Sequence, residues 1–255
     1  MNTECIQKEL QFQDSWGRKT VVTSDGEITS SDGGLVLLRE LERKYQILDR
    51  LQKCFIDKRN PNKVLHSVYA LLVQRIFGLC CGYEDLNDHD EWRKDPLLGI
   101  ACDKEGDERA AGKSTLNRLE LGKEVTPDYG ERYNRIDWDE QRVEDLLLEV
   151  FLDIYPYTGA PIVLDFDATD DPVHGEQEGR FFHGYYDCYC YLPLYVFCGE
   201  FPLVAKLRTA DRDASRGSVE VLQRIVMKIR ERTLLFEEIP GSAGSGLWGI
   251  VKRTL

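Results

Sequence analysis

Pro161-Ile-Val-Leu-Asp-Phe-Asp-Ala-Thr-Asp-Asp-Pro172 is the stretch of sequence that decides the fold, because an apolar run typical of a buried strand ends in carboxylates. Asp165 and Asp167 are separated by one residue. Side chains alternate between the two faces of an extended chain, so both carboxylates are predicted to point to the same side. Carboxylate oxygens are ligands that divalent cations prefer. The pattern therefore predicts that the two residues could share a metal ion.

The same segment also fits a purely structural role. Asp170 and Asp171 could join the pair in an acidic turn before Pro172, in which aspartate side chains cap backbone amides. Spacing alone favours neither interpretation. An EF-hand is not expected, because its sixth position requires glycine and is Asp170 here, and because the preceding segment is a predicted strand rather than a helix.

Composition places the chain among ordinary globular proteins. It has 255 residues, of which 42% are hydrophobic and 31% charged. No apolar run approaches the roughly 18 residues of a membrane-spanning helix, and the N-terminus lacks the pattern of an export signal. We therefore expect a cytoplasmic protein with no membrane partner. Its eight cysteines are expected to be reduced, and Cys188 and Cys190 are predicted to be buried thiols rather than zinc ligands.

The charge distribution limits the possible contacts with nucleic acid. A formal net charge of -12 argues against a protein that coats nucleic acid non-specifically. Local clustering differs from this average, because Arg224, Lys228 and Arg232 recur every four residues on one face of a predicted helix. This basic stripe is either a DNA-contacting surface or a solvated outer face.

Changes in hydrophobic period divide the chain into three regions. Residues 1–155 are predicted to be mostly helical after a short extended arm. The proline-bracketed turn at 156–161 is the predicted domain boundary. Residues 156–232 are predicted to form strands, interrupted at Pro193, and then a helix, which indicates an α/β fold, α+β overall, with a mixed sheet. Residues 233–255 are a separate tail that contains several glycines and serines.

Gly112-Lys113-Ser114-Thr115 is similar to the end of a P-loop, which would cradle phosphates. The upstream glycine of that motif should be at position 107, which is Asp107, and no apolar strand leads into the loop. Nucleotide binding is therefore not expected. The segment is instead predicted to begin a helix that is capped by Ser114.

Several segments together resemble the insertion-sequence transposases of the DDE type, over about residues 1 to 232. The segments are Ser30-Ser-Asp-Gly-Gly34, Gly82-Tyr-Glu-Asp-Leu-Asn-Asp88, Gly112-Lys-Ser-Thr-Leu-Asn-Arg-Leu-Glu120, Leu164-Asp-Phe-Asp-Ala-Thr-Asp-Asp-Pro-Val-His-Gly175 and Glu178-Gly-Arg-Phe-Phe-His-Gly-Tyr-Tyr-Asp-Cys-Tyr-Cys-Tyr-Leu-Pro-Leu-Tyr195. The resemblance implies a helical N-terminal region for DNA binding or dimerisation at 1–155, and the first part of a ribonuclease-H-like catalytic domain at 156–232.

The resemblance also implies a chemistry and a set of site residues. In this family three carboxylates hold two Mg²⁺ or Mn²⁺ ions that activate a water or a 3′-hydroxyl for attack on a phosphodiester. Asp167-Ala-Thr169 matches the family's Asp-x-Thr pattern, so Asp167 is implied as catalytic and metal-binding, with Asp165 as its metal-binding neighbour. The implied partner is DNA at the terminal inverted repeats of the element. The candidate DNA contacts are Ser114, Thr115, Asn117, Arg118, Arg224, Lys228 and Arg232.

The chain departs from the family pattern after Arg232. Family members continue into a strand that carries a second aspartate in an Asp-Ser-Gly-Phe-like motif, and they later supply a glutamate. Neither residue follows here. The spacing of Glu237 and Glu238 does not support them as replacements for these carboxylates. We therefore expect a truncated or frameshifted transposase that is catalytically incomplete and does not bind metal ions productively. The alternative is a non-catalytic regulator that binds DNA or dimerises and thereby competes with the intact transposase. It would act as a homodimer or as a mixed dimer with that enzyme.

Overall fold

A computed structural model of the chain describes residues 9–15, 18–23, 30–104, 108–121, 135–155 and 161–237. The chain divides into two compact units, residues 1–139 and 140–255. This division lies upstream of the predicted boundary, because the helix that precedes the boundary packs on the sheet of the second unit. The turn at 156–160 lies outside the described residues, as does the tail from residue 238 onward.

The N-terminal unit is mainly helical, as predicted. The α-helices in its described part are α1 (Leu35–Tyr45), α2 (Ile47–Gln52), α3 (Val68–Cys80), α4 (His89–Trp92), α5 (Pro96–Ala101) and α6 (Lys113–Glu120). The predicted extended arm is an antiparallel hairpin of β1 (Glu9–Ser15) and β2 (Arg18–Thr23). A second antiparallel pair joins β3 (Phe55–Asp57) to β4 (Ile136–Trp138). The spacing of Leu48, Leu51 and Phe55 predicts a helix, but Phe55 lies in β3.

Asn60-Pro61 is typical of an N-cap followed by a first-turn proline, so the sequence predicts that α3 begins there with Leu65 on its apolar face, but the helix begins later. Asn60 caps only a short 3-10 helix, Pro61–Lys63, and the hydroxyl of Ser67 caps α3 by accepting from the Ala70 amide at 3.1 Å. Leu65 is consequently exposed rather than part of the helix's apolar stripe. Buried residues of α3, among them Leu71 and Val73, lie in the hydrophobic clusters of this unit.

The C-terminal unit contains two helices and two three-stranded sheets among its described residues. Its elements are α7 (Glu140–Ile154), β5 (Asp165–Ala168), β6 (Asp171–Pro172), β7 (Phe181–His183), β8 (Cys188–Tyr191), β9 (Leu194–Cys198), β10 (Phe201–Lys206) and α8 (Ser218–Glu237). The strand orders are β10-β9-β5 and β6-β8-β7. These elements confirm the α/β class.

Every pairing between the described strands is antiparallel, so the parallel pair that a mixed sheet requires is not found in this part of the chain. Short turns connect β7 to β8 and β9 to β10, and such turns can join only antiparallel neighbours. Parallel neighbours need a long crossover connection.

The two sheets of the C-terminal unit are joined at several points. Thr169 and Asp170 link β5 directly to β6, and Leu192 and Pro193 link β8 to β9. Pro193 therefore interrupts the aromatic stretch, as predicted. At this break the Leu192 amide donates to the Arg208 carbonyl at 2.8 Å, and Arg208 Nε donates to the Leu192 carbonyl at 2.9 Å.

One face of the β10-β9-β5 sheet carries the main core of the C-terminal unit. Helices α7 and α8 contribute to this cluster through side chains such as Phe151 and Ile225, which pack with Leu164 of the sheet region and with Val196 of β9. No helix in the described part of the chain is both long and apolar enough to cross a membrane.

Candidate active site

Asp165 and Asp167 lie on the face of β5 that points away from the core. Both are exposed, whereas Leu164, Phe166 and Ala168 contact the hydrophobic cluster under α7 and α8. The alternation follows from the period of two along a strand. The two carboxylates therefore share one face, as the sequence predicts, and their Cα atoms are separated by roughly 6.6 Å of extended chain.

Aromatic residues of β9 lie beside the carboxylates. Asp167 is directly opposite Tyr195 in the antiparallel register, and Asp165 is opposite Phe197. The two rings are half-buried, and their centroids are 6.2 Å apart. Residues directly opposite each other on one face are close enough for side-chain contact. The candidate site is thus an acidic pair with an aromatic wall on one side.

Neither Asp165 nor Asp167 forms a side-chain hydrogen bond or an ion pair with another described residue. The side chains of Asp170 and Asp171 likewise accept no backbone hydrogen bond within the described ranges, and Asp171 lies in β6. The capping contacts of an acidic turn are therefore not found here. Oxygen ligands with no competing cation suit a hard divalent ion.

The fit to a metal ion is partial. Within the described residues, no group of three or more His, Cys, Asp or Glu side chains is arranged to hold a metal. Two carboxylates can ligate an ion, but a two-ion site of the DDE kind uses three. The role of Asp165 and Asp167 as ligands in such a site stays a prediction.

The described cysteines carry free thiols, in agreement with the sequence prediction. Cys190 is buried, and its burial together with the neighbouring Cys188 raises the pKa of the Cys190 thiol to about 11. A thiol with a raised pKa is a poor metal ligand near neutral pH. Cys188 is only half-buried.

Helix α6 presents the predicted N-terminal contact residues. Ser114, Asn117 and Arg118 are exposed, and Thr115 is half-buried. The N-cap lies two residues before the predicted Ser114: it is Gly112, which offers no side-chain cap.

The first amide of α6 is capped from elsewhere in the N-terminal unit. Asp90 accepts from the Lys113 amide at 3.1 Å, and this hydrogen bond holds the pKa of the Asp90 carboxyl below its ordinary value. Lys113 Nζ also donates to Asn87 Oδ1 at 2.9 Å. The lysine of the P-loop-like segment thus contacts protein groups, whereas in a P-loop it would reach phosphates.

Two of the family-like segments meet around Asp32. Its Oδ2 accepts hydrogen bonds from Tyr83 Oη at 3.0 Å and from Trp92 Nε1 at 2.8 Å. Ser30 Oγ donates to Asp95 Oδ2 at 2.7 Å nearby. Segments that are widely separated in sequence therefore form one hydrogen-bonded corner, which sequence inspection did not identify.

A buried network holds the chain just before α6. Gln74 Oε1 accepts from the Ala111 amide and Gln74 Nε2 donates to the Ala111 carbonyl, both at 2.8 Å. Gln74 Nε2 also lies 3.3 Å from Nδ1 of the fully buried His89, so Nδ1 acts as the acceptor of a neutral imidazole. Burial lowers the pKa of His89, which favours this neutral form.

The basic stripe of α8 is paired with acidic residues of α7. Arg224 Nη1 is 2.6 Å from Glu144 Oε2, and Arg232 Nη2 is 2.8 Å from Asp153 Oδ1. Lys228 Nζ lies 3.4 Å from Asp145 Oδ2. The stripe is therefore a ladder of ion pairs within the C-terminal unit, and its contact with DNA stays a prediction.

Comparison with protein families gives a match over most of the chain: the model of the transposase DDE domain, group 1, matches residues 12–237. The matched range includes both the corner around Asp32 and the acidic strand β5. No curated protein and no solved structure matches the chain. DDE transposases generally use divalent metal ions and act on DNA. The chain belongs to the DDE transposase family, group 1.

Proposed function

We propose that this chain binds the ends of an insertion sequence and supplies the first carboxylate arm of the site that cleaves and transfers DNA strands. The observation that carries the proposal is the exposed Asp165–Asp167 pair on a strand whose other face is fixed by the core. A strand held by packing keeps the carboxylates in one geometry, as strand transfer at a defined phosphodiester requires.

Asp167 is the principal ligand of a Mg²⁺ or Mn²⁺ ion in this proposal, and Asp165 is its neighbour on the same face. Such an ion would stabilise negative charge on the phosphodiester and activate a water or a 3′-hydroxyl for attack. Tyr195 and Phe197 border the pair on β9.

Two surfaces of the chain are proposed to contact DNA at the terminal inverted repeats. On α6, Ser114, Asn117 and Arg118 are exposed, and short polar and basic side chains of this kind contact phosphates and base edges. On α8, Arg224, Lys228 and Arg232 would contact phosphates if DNA displaces part of their pairing with α7. Binding of this kind would place the chain on the bacterial nucleoid.

A second function is favoured by one observation. The described residues contain no group of three His, Cys, Asp or Glu side chains arranged to hold a metal ion. The chain by itself would then be a non-catalytic regulator that occupies transposon ends, as a homodimer or in a mixed dimer with the intact transposase. The two functions predict the same DNA binding and differ in strand cleavage.

A gel-shift assay with the element's terminal repeats, run beside a nicking assay with Mg²⁺ or Mn²⁺, separates these functions. Nicking that is lost in Asp167→Asn supports the catalytic proposal, whereas binding without nicking supports the regulator. The matched control is Glu200→Gln, which removes an exposed charge from the same unit. Weaker Mn²⁺ binding by Asp167→Asn, measured by electron paramagnetic resonance, tests the ligand role independently of cleavage. Unchanged Mn²⁺ binding would refute that role.

A further inference from the structure

The outer face of the β7–β8 hairpin is aromatic and exposed. Phe182 and Tyr189 lie opposite each other in the register, their ring centroids are 5.6 Å apart, and the planes meet at 70°. They are 52% and 50% exposed, and Tyr185 at the turn is 85% exposed. Single exposed apolar residues are common, but a contiguous aromatic group marks a binding surface.

These rings are not needed to complete the local core. The opposite face of β8 supplies the buried Cys190, which packs with Leu192 and Ala210, and the half-buried Cys188 and Tyr186 pack against this cluster. The side chains that stabilise the hairpin are therefore distinct from those on its outer face. Changing the outer rings should leave the fold intact.

A cation accompanies the rings. The guanidinium of Arg180 lies over the Tyr189 ring, 4.7 Å from its centroid. Its ion-pair partner, Glu176, is 3.8 Å away and almost fully exposed, so this pair is weak and readily exchanged for another anion. Aromatic faces next to an arginine are the combination that binds single-stranded nucleic acid, because bases stack on the rings and the cation meets the phosphates.

The hairpin is also connected to the acidic strand. β8 pairs with β7 on one side and with β6 on the other, and only Thr169 and Asp170 separate β6 from β5. Tyr186 Oη additionally donates to the Ala168 carbonyl at 3.5 Å, one residue after Asp167. The chain from Asp167 to Pro172 spans roughly 17 Å at most. DNA held at the carboxylates therefore has its neighbouring nucleotides within reach of the hairpin.

We propose that the outer face of the β7–β8 hairpin binds unpaired nucleotides at the DNA end, with bases stacked on Phe182 and Tyr189 and a phosphate at Arg180. The proposal rests on the proposed function in taking DNA as the ligand. It assigns the hairpin to holding nucleotides beside the scissile phosphate, a role separate from metal binding.

The test measures DNA binding by the full chain in EDTA, where no cleavage occurs. The probe is a labelled oligothymidylate of about 15 nucleotides that contains 2-aminopurine, compared with the same strand in a duplex. Phe182→Ala/Tyr189→Ala should weaken single-strand binding about tenfold or more and abolish 2-aminopurine quenching, while duplex affinity changes less than about twofold. Tyr189→Phe should bind like the wild type, and Tyr189→Leu, which keeps bulk but no ring, should not.

The control is Leu207→Ala, which removes an exposed apolar side chain elsewhere in the unit. Unchanged single-strand affinity in the double variant and in Tyr189→Leu would overturn the proposal. Equal losses of affinity for single strand and duplex would also overturn it. A change from dimer to monomer in sedimentation, with DNA affinity unchanged, would overturn it as well. The stacking test is read in EDTA as binding alone, whereas the nicking test needs metal ions, so failure of the nicking prediction and failure of the stacking prediction are distinguishable.

Discussion

Replacing Glu144 by glutamine tests the ion pairs that join three elements of the C-terminal unit. Glu144 lies on α7 and its side chain is 8% exposed. Its Oε1 accepts from Lys206 Nζ of β10 at 2.7 Å, and its Oε2 accepts from Arg224 Nη1 of α8 at 2.6 Å. Burial raises the pKa of this carboxyl, but the two hydrogen bonds outweigh burial, so the pKa lies below its ordinary value.

The expected loss follows from these two contacts. A hydrogen bond to a charged group contributes about 1.5–3 kcal/mol. Glutamine retains one neutral acceptor for Lys206 but turns an amide donor toward the donors of Arg224. Because both cations are partly exposed, water compensates part of the loss. We expect the free energy of unfolding to fall by about 2 kcal/mol, which lowers the melting temperature of this unit by roughly 6–8 °C.

Thermal and urea unfolding of the wild type and Glu144→Gln measure this loss. A carboxyl whose pKa is lowered by folding stabilises above its unfolded pKa, near 4.5, and the contribution disappears as the pH falls through the folded value. The difference between the two proteins should therefore close in acid. Glu149→Gln is the control, since Glu149 is 51% exposed and 3.7 Å from Lys228, and should change stability by less than about 0.5 kcal/mol. Equal stability of wild type and Glu144→Gln at pH 7, or a difference that persists in acid, would refute the reasoning.

Three further predictions concern the buried network of the N-terminal unit. Gly78→Ala places a Cβ 2.8 Å from His89 Cε1, so it should lower the free energy of unfolding by about 1–3 kcal/mol. Unchanged urea unfolding would contradict the predicted steric clash. Gln74→Leu leaves the Ala111 amide and carbonyl without their partner and should lower the free energy of unfolding by about 2–4 kcal/mol. Unchanged urea unfolding would argue against the paired contact. Because folding lowers the pKa of His89, its contribution to the free energy of unfolding should be complete above about pH 6.5 and fall as the pH drops below that value. His89→Asn should reduce the dependence of this free energy on pH, measured by urea unfolding. An unaltered pH dependence would rule out His89 as its source.

The features that sequence predicted well are those that local chain geometry determines. Asp165 and Asp167 share a face because a strand repeats every two residues, whichever sheet it joins. Pro193 ends a strand because it lacks an amide hydrogen. The family resemblance likewise rested on contiguous segments, and the family match over residues 12–237 confirms it.

Features that depend on distant partners could not be predicted in this way. The apolar stripe of α7 indicates a buried face but not the sheet that covers it. The sequence therefore predicts a domain boundary after this helix, whereas the two units divide before it. The first amide of α6 is capped by Asp90 and not by Ser114, because the fold brings a carboxylate from α4 to that end. Arg224 and Glu144 are 80 positions apart, and helical periodicity identifies no such partner.

The multiple attachments between the two sheets of the C-terminal unit have a consequence for recognition. A hairpin joined to its domain at one point is mobile, and it loses conformational entropy when a ligand binds and fixes it. Here the β6-β8-β7 sheet is held by the Thr169–Asp170 link, by the two hydrogen bonds between Leu192 and Arg208, and by the Tyr191–Thr209 bridge. The outer rings of this sheet are therefore preorganised. A nucleotide that stacks on them would bind without a large further loss of conformational entropy in the protein, because that loss already occurs on folding.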